Sequence, residues 1–240
     1  MSQNTGHAIN AGNFEQLISV LVSFGISYNP TAVGLKLVGM NSKLMAANGV
    51  VGDVAAKLAT QDSVDADREY LFDGLPARVT QIIGYYNSTG ADPNRIEDAR
   101  EFQRKILGKR ATPIVPPDPN DPNPPKTISS AQTTFTQKIE HFDGLVEVVN
   151  IDSLYDPNEV ELKVVTLNAF STQLHGANTA SINAGTDTAT ARIARDHELY
   201  DPATGLVPVA LRAKEYVKAL FGASSPQYNQ VKGIKFRNIA

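Results

Sequence analysis

Seven of the chain's 14 prolines fall between residues 112 and 127, and nothing else in the sequence restricts the fold so severely. The stretch reads Thr-Pro-Ile-Val-Pro-Pro-Asp-Pro-Asn-Asp-Pro-Asn-Pro-Pro-Lys-Thr. Each proline fixes its own φ and pushes the preceding residue toward extended backbone, so neither a helix nor a central strand can pass through. The expectation is a semi-rigid polyproline II linker over residues 112–127. It would separate a first domain, residues 1–111, from a second, residues 128–240. Two Pro-x-x-Pro matches, at 113–116 and 116–119, make a ligand for a proline-recognising domain the alternative. The stretch itself holds neither arginine nor an aromatic residue to support that.

The two flanks resemble each other. Phe14-Glu-Gln-Leu-Ile18 matches Phe135-Thr-Gln-Lys-Ile139, an offset of 121. Tyr28-Asn-Pro30 matches Tyr155-Asp-Pro157, and Leu35-Lys36, Val38 and Asn41 recur as Leu162-Lys163, Val165 and Asn168, an offset of 127. Gly74-Leu75 and Tyr85 recur as Gly205-Leu206 and Tyr216, Pro93 as Pro226, and Phe102 as Phe236. The offset only grows along the chain, as small insertions in a second copy require. An internal duplication is therefore expected, with chance similarity between helical segments as its rival.

Each half reads as helical. Phe14, Leu17, Ile18, Leu21 and Val22 follow the i, i+3, i+4, i+7, i+8 stripe of an amphipathic helix, and Phe135 to Val149 repeat it. Tyr-Asn/Asp-Pro then suggests a second helix, with Asn29 or Asp156 as N-cap and proline in the first turn. Its apolar positions would be Val33, Leu37, Val38, Leu44 and Met45, or Val160, Val164, Leu167 and Leu174. A third helix is expected near 49–72 and 177–200, a fourth from Leu75-Pro76 or Val207-Pro208, and a short last one after Asp92-Pro93 or Ser225-Pro226. A weak strand signal lies at 232–236. The predicted class is all-α: two tandem, internally duplicated helical bundles of four to five helices each.

No chemical motif emerges. The chain has no cysteine, which removes disulfides, thiolate metal sites and a cysteine nucleophile. Glu-x-x-His, His-Glu-x-x-His, a calcium loop, a Walker loop, a Rossmann fingerprint and a nucleophile elbow are all missing, and His7 reads as part of a frayed N-terminal tail. No catalytic residue, metal or cofactor is expected. The densest ionisable cluster is Arg195, His197, Tyr200 and Asp201, the low-ranking candidate for ligand binding. Adjacent helical positions diverge in direction, so a structural arginine pairing within the bundle is the competing reading of Arg195 and of Arg68.

Charge is balanced: residues 1–110 carry 11 basic and 11 acidic side chains, residues 128–240 carry 10 and 12. That gives no strong nucleic-acid signal. The apolar run at 17–26 is far shorter than the roughly 20 residues of a membrane span; its other reading is a membrane-active helix. No charged leader precedes it, so a cytoplasmic location is expected.

The Tyr-x-Pro starts, the run Gly-Leu-Val-Pro-Val-Ala-Leu-Arg-Ala-Lys-Glu-Tyr-Val-Lys and the closing Phe-Gly-Ala-Ser-Ser-Pro-Gln-Tyr resemble segments of uncharacterised bacterial all-helical proteins with duplicated bundles. That resemblance implies the fold and no activity. The function expected is therefore non-catalytic: a structural or interaction protein acting through a protein partner or self-association, as a homo-oligomer. The alternative is an enzyme or small-molecule binder with a pocket between the bundles around Arg195, His197 and Tyr200.

Overall fold

The computed structural model describes residues 5–109 and 133–239. The proline-rich segment at 112–127 lies outside the described residues. Within them the chain is all-α: eight helices and three single-turn 3-10 helices, with no strand. The strand signal at 232–236 comes to nothing, since Lys232 closes a helix and residues 234–239 run as irregular backbone.

In the first half, α1 covers Thr5–Ser23, α2 Leu37–Asp73, α3 Leu75–Ser88 and α4 Pro93–Ile106. In the second, α5 covers Phe135–Asn150, α6 Val164–Tyr200, α7 Leu206–Phe221 and α8 Pro226–Lys232. The starts of α4 and α8 follow the sequence reading. Asp92 Oδ1 accepts from Asn94 N at 2.8 Å and Ser225 Oγ from Tyr228 N at 3.1 Å, with a proline in the first turn each time. Helix α5 opens with a capping box between Thr134 and Gln137 that the sequence reading overlooked.

Two expectations are corrected. The second and third helices foreseen in each half are one unbroken helix of 37 residues, α2 and α6. No proline interrupts either run, and an interior glycine costs only about 1 kcal/mol relative to alanine, too little to end a long helix. The second correction concerns Tyr-Asn/Asp-Pro, which does not start a helix. Tyr28 is extended, Pro30 is buried, a 3-10 turn follows at Val33–Leu35, and α2 begins only at Leu37. The second half repeats this with Pro157 buried, a turn at Val160–Leu162 and α6 from Val164.

A side chain explains the delay. The Tyr28 hydroxyl donates to Leu35 O at 2.9 Å and the Tyr155 hydroxyl to Leu162 O at 3.0 Å, so each tyrosine braces the loop seven residues ahead of itself. The foreseen apolar face shifts as a result. Val33, Val38 and Met45 are exposed, while Met40, Ala47 and Val54 are buried; in the second half Val160 is exposed and Leu167 and Leu174 are buried.

The chain has two compact units, and they do not follow the expected boundaries 1–111 and 128–240. One comprises Met1–Asp62 with Ala184–Ala240; the other is Ser63–Asn183. Because α2 and α6 continue across those limits, each unit joins the early helices of one half to the late helices of the other. In the first unit Phe14, Leu17 and Leu21 of α1 share a core with Leu206, Ala210, Val217 and Val231 of α7 and α8. In the second, Ile139, Phe142 and Val149 of α5 share a core with Val79, Ile82, Tyr86 and Ala99 of α3 and α4. Gly144 marks how closely α5 and α4 approach, since a Cβ there would lie 2.5 Å from the Phe102 ring.

The two cores are braced alike. Tyr28 packs edge-on against Tyr216, with centroids 5.4 Å apart at 86°, and Tyr155 packs on Tyr85 at 5.2 Å and 86°. Such pairs contribute about 0.5–1.5 kcal/mol beyond burial. Burial, helped by the neighbouring tyrosine, pushes the Tyr28 pKa up to about 12 and raises that of Tyr155 further. Helices α2 and α6 meet through small and polar side chains. Lys43 pairs with Glu198 and Lys57 with Asp187, both at 3.0 Å in the first unit, so the helices run antiparallel there. In the second unit Ser181 hydrogen-bonds Asp65.

Trimming a core side chain in α1 tests this partition. Leu17 is fully buried, so Leu17→Ala should cost about 2–5 kcal/mol. Hydrogen exchange should then quicken in α7 and α8 more than in α3 and α4; the opposite pattern would restore the boundaries read from the sequence. Cutting the folded chain at a protease site introduced within 112–127 should leave both fragments in one species on gel filtration.

Candidate functional site

The last turns of α6 carry Arg195, His197, Tyr200 and Asp201, and the fold does not gather them. The His197 side chain is 72% exposed, its Nε2 3.9 Å from an Asp201 carboxylate oxygen. Asp201 is occupied by the turn that leaves the helix, where Oδ1 accepts from Ala203 N, Thr204 N and Thr204 Oγ1 at 2.7–3.0 Å. Those bonds to Thr204 hold its carboxyl below the ordinary aspartate value. Arg195 and Tyr200 are buried instead. Arg195 fastens to its neighbour, with Nε and Nη2 on Asp196 Oδ1 at 2.9 and 2.8 Å. Arg68 likewise pairs with Asp65 at 3.2 Å and stacks 4.1 Å over the Phe135 ring.

Tyr200 meets residues from the start of α1. His7 is no frayed residue: it lies in α1 and is 3% exposed. The Tyr200 hydroxyl accepts from Asn10 Nδ2 at 3.2 Å and lies 2.8 Å from His7 Nδ1. With the imidazole proton on Nε2, Nδ1 accepts the hydroxyl's own proton while the phenolic oxygen accepts from Asn10. The signal was present: His7, Asn10 and Ala11 carry the Phe14–Leu17–Ile18–Leu21 spacing back by two turns, so a polar pair sits on the buried stripe.

The same face of α1 holds the end of the chain. Asn10 Nδ2 donates to Arg237 O at 2.7 Å and its Oδ1 accepts from Arg237 N at 3.1 Å, while Asn13 Nδ2 donates to Lys235 O at 2.7 Å. Lys214 adds bonds to Lys232 O and Ile234 O. Beside this strap is a pocket of about 210 Å³ lined by Gly6, Ile9, Asn10, Asn13, Lys235, Arg237 and Ile239. Its two asparagine amides are already committed to backbone, and the charged side chains among its lining residues are Lys235 and Arg237.

A serine, an aspartate and a histidine also meet in the second unit, without forming a nucleophile. Ser171 Oγ hydrogen-bonds one oxygen of Asp143 and His175 Nε2 lies 2.9 Å from the other. Catalysis needs the histidine between hydroxyl and carboxylate, taking the hydroxyl proton. Here the carboxylate sits between them, so the imidazole does not address the serine. Among the described residues no group of three or more metal-ligating side chains converges, and no helix is long and apolar enough to cross a membrane. The run at 17–26 supplies buried Leu17, Ile18 and Leu21 to the core.

The remaining unusual feature lies at the loop that leads into each long helix. Ile26, Val33 and Val38 are 98%, 74% and 83% exposed; Leu154, Val160 and Val165 in the second half are 50%, 66% and 73% exposed. Gly39 lets the first loop fold this tightly, since a Cβ there would lie 2.5 Å from Val33 O. Comparison with known protein families, curated proteins and solved structures finds no match to this chain.

Burial pushes the His7 pKa below its ordinary 6.5, Arg195 adds to that, and Asp196 opposes. A histidine favoured neutral in the fold stabilises fully above the unfolded value, and that contribution is lost as pH falls through 6.5 toward the lower folded value. The melting temperature should therefore fall between pH 7.5 and pH 5. His7→Asn keeps an acceptor for Tyr200 and should fall less over that interval; an equal fall would remove His7 as the titrating group. His141, depressed chiefly by its burial, titrates in the same window, so the variant flattens the profile without abolishing its slope.

Proposed function

We propose that this chain is a non-catalytic, internally duplicated helical scaffold that works by binding protein, through the two loops that lead into α2 and α6. Duplication is supported by bracing that recurs in detail: tyrosine to a carbonyl seven residues on, and tyrosine edge-on to tyrosine. The observation that carries the binding role is what the two loops kept. Between the halves Thr31 became Asn158, Ala32 became Glu159 and Gly34 became Glu161, yet Val33 and Val38 recur as Val160 and Val165. All four valines are exposed. An exposed valine adds nothing to a core, and single exposed apolar residues need no explanation. Two retained at matching places, amid changed neighbours, fit a contact surface.

The bonding of the sequence-derived cluster weighs against the enzymatic alternative. Tyr200 is spent on Asn10 and His7, Arg195 bonds Asp196, and His197 points to solvent. The wild-type chain and two variants, V33E/V38E and V160E/V165E, each immobilised and exposed to extract of the native host, test the reading by mass spectrometry. At least one protein, copies of the chain itself included, should be retained by wild type and lost from a variant. Identical retention by all three would overturn it.

A further inference from the structure

The two loops differ in charge, and that difference selects a partner. Residues 22–38 contain one charged side chain, Lys36, which is exposed. Residues 151–165 contain Asp152, Asp156, Glu159, Glu161 and Lys163. Asp152 is buried and bonded by Tyr86, with Arg95 3.6 Å away, and Glu161 pairs with Arg78 at 2.8 Å. Asp156 and Glu159 are left exposed, and among the described residues no salt bridge engages them, Lys36 or Lys163. The first loop is thus apolar and basic, the second apolar and acidic on balance.

We infer that the partner is a second copy of this chain, bound head to tail: the loop at 22–38 of one molecule docks on the loop at 151–165 of the next. This rests on the binding role proposed above and names its partner. Like-with-like docking would set Lys36 against Lys36, or Asp156 and Glu159 against themselves, and unlike charges in register are what discriminate between otherwise similar apolar contacts. Val33 and Val38 then meet Val160 and Val165, with Lys36 facing Asp156 and Glu159 at the rim. After a contact forms, the pair still has one loop of each kind free, so association propagates rather than stopping at two.

Sedimentation of the full chain from micromolar to several hundred micromolar tests this. Wild type should grow beyond the 25.8 kDa monomer, less at high salt because the charges are exposed. V33E/V38E and V160E/V165E should each shift association to about tenfold higher concentration or more, since they strike the apolar centre. Mixed together, the two variants should form a one-to-one dimer and stop, because only one complementary pair of loops survives. K36E should weaken association by about a few-fold, and adding D156K/E159K in the same chain should restore it.

Either loop variant associating by itself as well as wild type would overturn the head-to-tail arrangement, and so would a mixture that stays monomeric. Wild type monomeric throughout would overturn the second copy as partner. If those same loops still governed a protein captured from extract, the binding role would stand and only the partner would fall; if they governed nothing, both would fall. Unchanged melting temperatures in the variants separate lost association from lost folding, since all the altered side chains are exposed.

Discussion

Two helices without an internal proline decide where every other helix finds its partner. An unbroken α2 offers no hinge at which α3 could turn back onto α1, and α6 does the same to α5 and α7. The buried face of α1 is therefore closed by α7 and α8, and that of α5 by α3 and α4. Hydrophobic burial is non-directional and roughly proportional to area, so a matching helix from the other half serves as well as one from the same half. Chain continuity, not affinity, then settles the choice. Small residues such as Ala184, Thr188 and Ala191 are buried on α6, with Ala47 and Val54 on α2.

That arrangement explains what was legible in the sequence and what was not. Helix type was readable wherever the stripe was strong or a cap was chemically explicit, as in α1, α3, α4, α7 and α8. The long helices were misread as pairs because their stretches of Ala, Thr, Asp and Gly carry no stripe to follow through the middle. The proline-rich segment marked a local backbone constraint, and that constraint says nothing about which buried faces meet. Tyr-Asn/Asp-Pro repeated faithfully and was still misread: the pattern was right, but its cause was the tyrosine hydroxyl reaching a carbonyl seven residues away, which a cap argument confined to neighbouring residues does not see.

The candidate site was half legible for a related reason. Of the four residues grouped there, Arg195 and Tyr200 are buried and bonded within the fold. Grouping them with His197 and Asp201 relied on closeness along the chain, whereas a helix sends such neighbours in different directions. The true companions of Tyr200, His7 and Asn10, lie some 190 residues earlier. They were visible only as polar members of an apolar period.

The two units part company at this point. Where α2 ends in Phe72-Asp73, α6 ends on Tyr200, with Asp201 the next residue. Phe72 packs edge-on against Phe135 at 4.8 Å, with Arg68 stacked over the Phe135 ring. The buried Tyr200 hydroxyl needs partners of its own, because one left unpaired costs about 1–3 kcal/mol. Its bonds come from Asn10 and His7, on two helical turns of α1 that precede Phe14. Asn10 then ties the chain's end down through Arg237. The Tyr200 hydroxyl, the buried histidine and the C-terminal strap of the first unit thus belong to one network centred on Asn10, while the braced loops stay alike in both units.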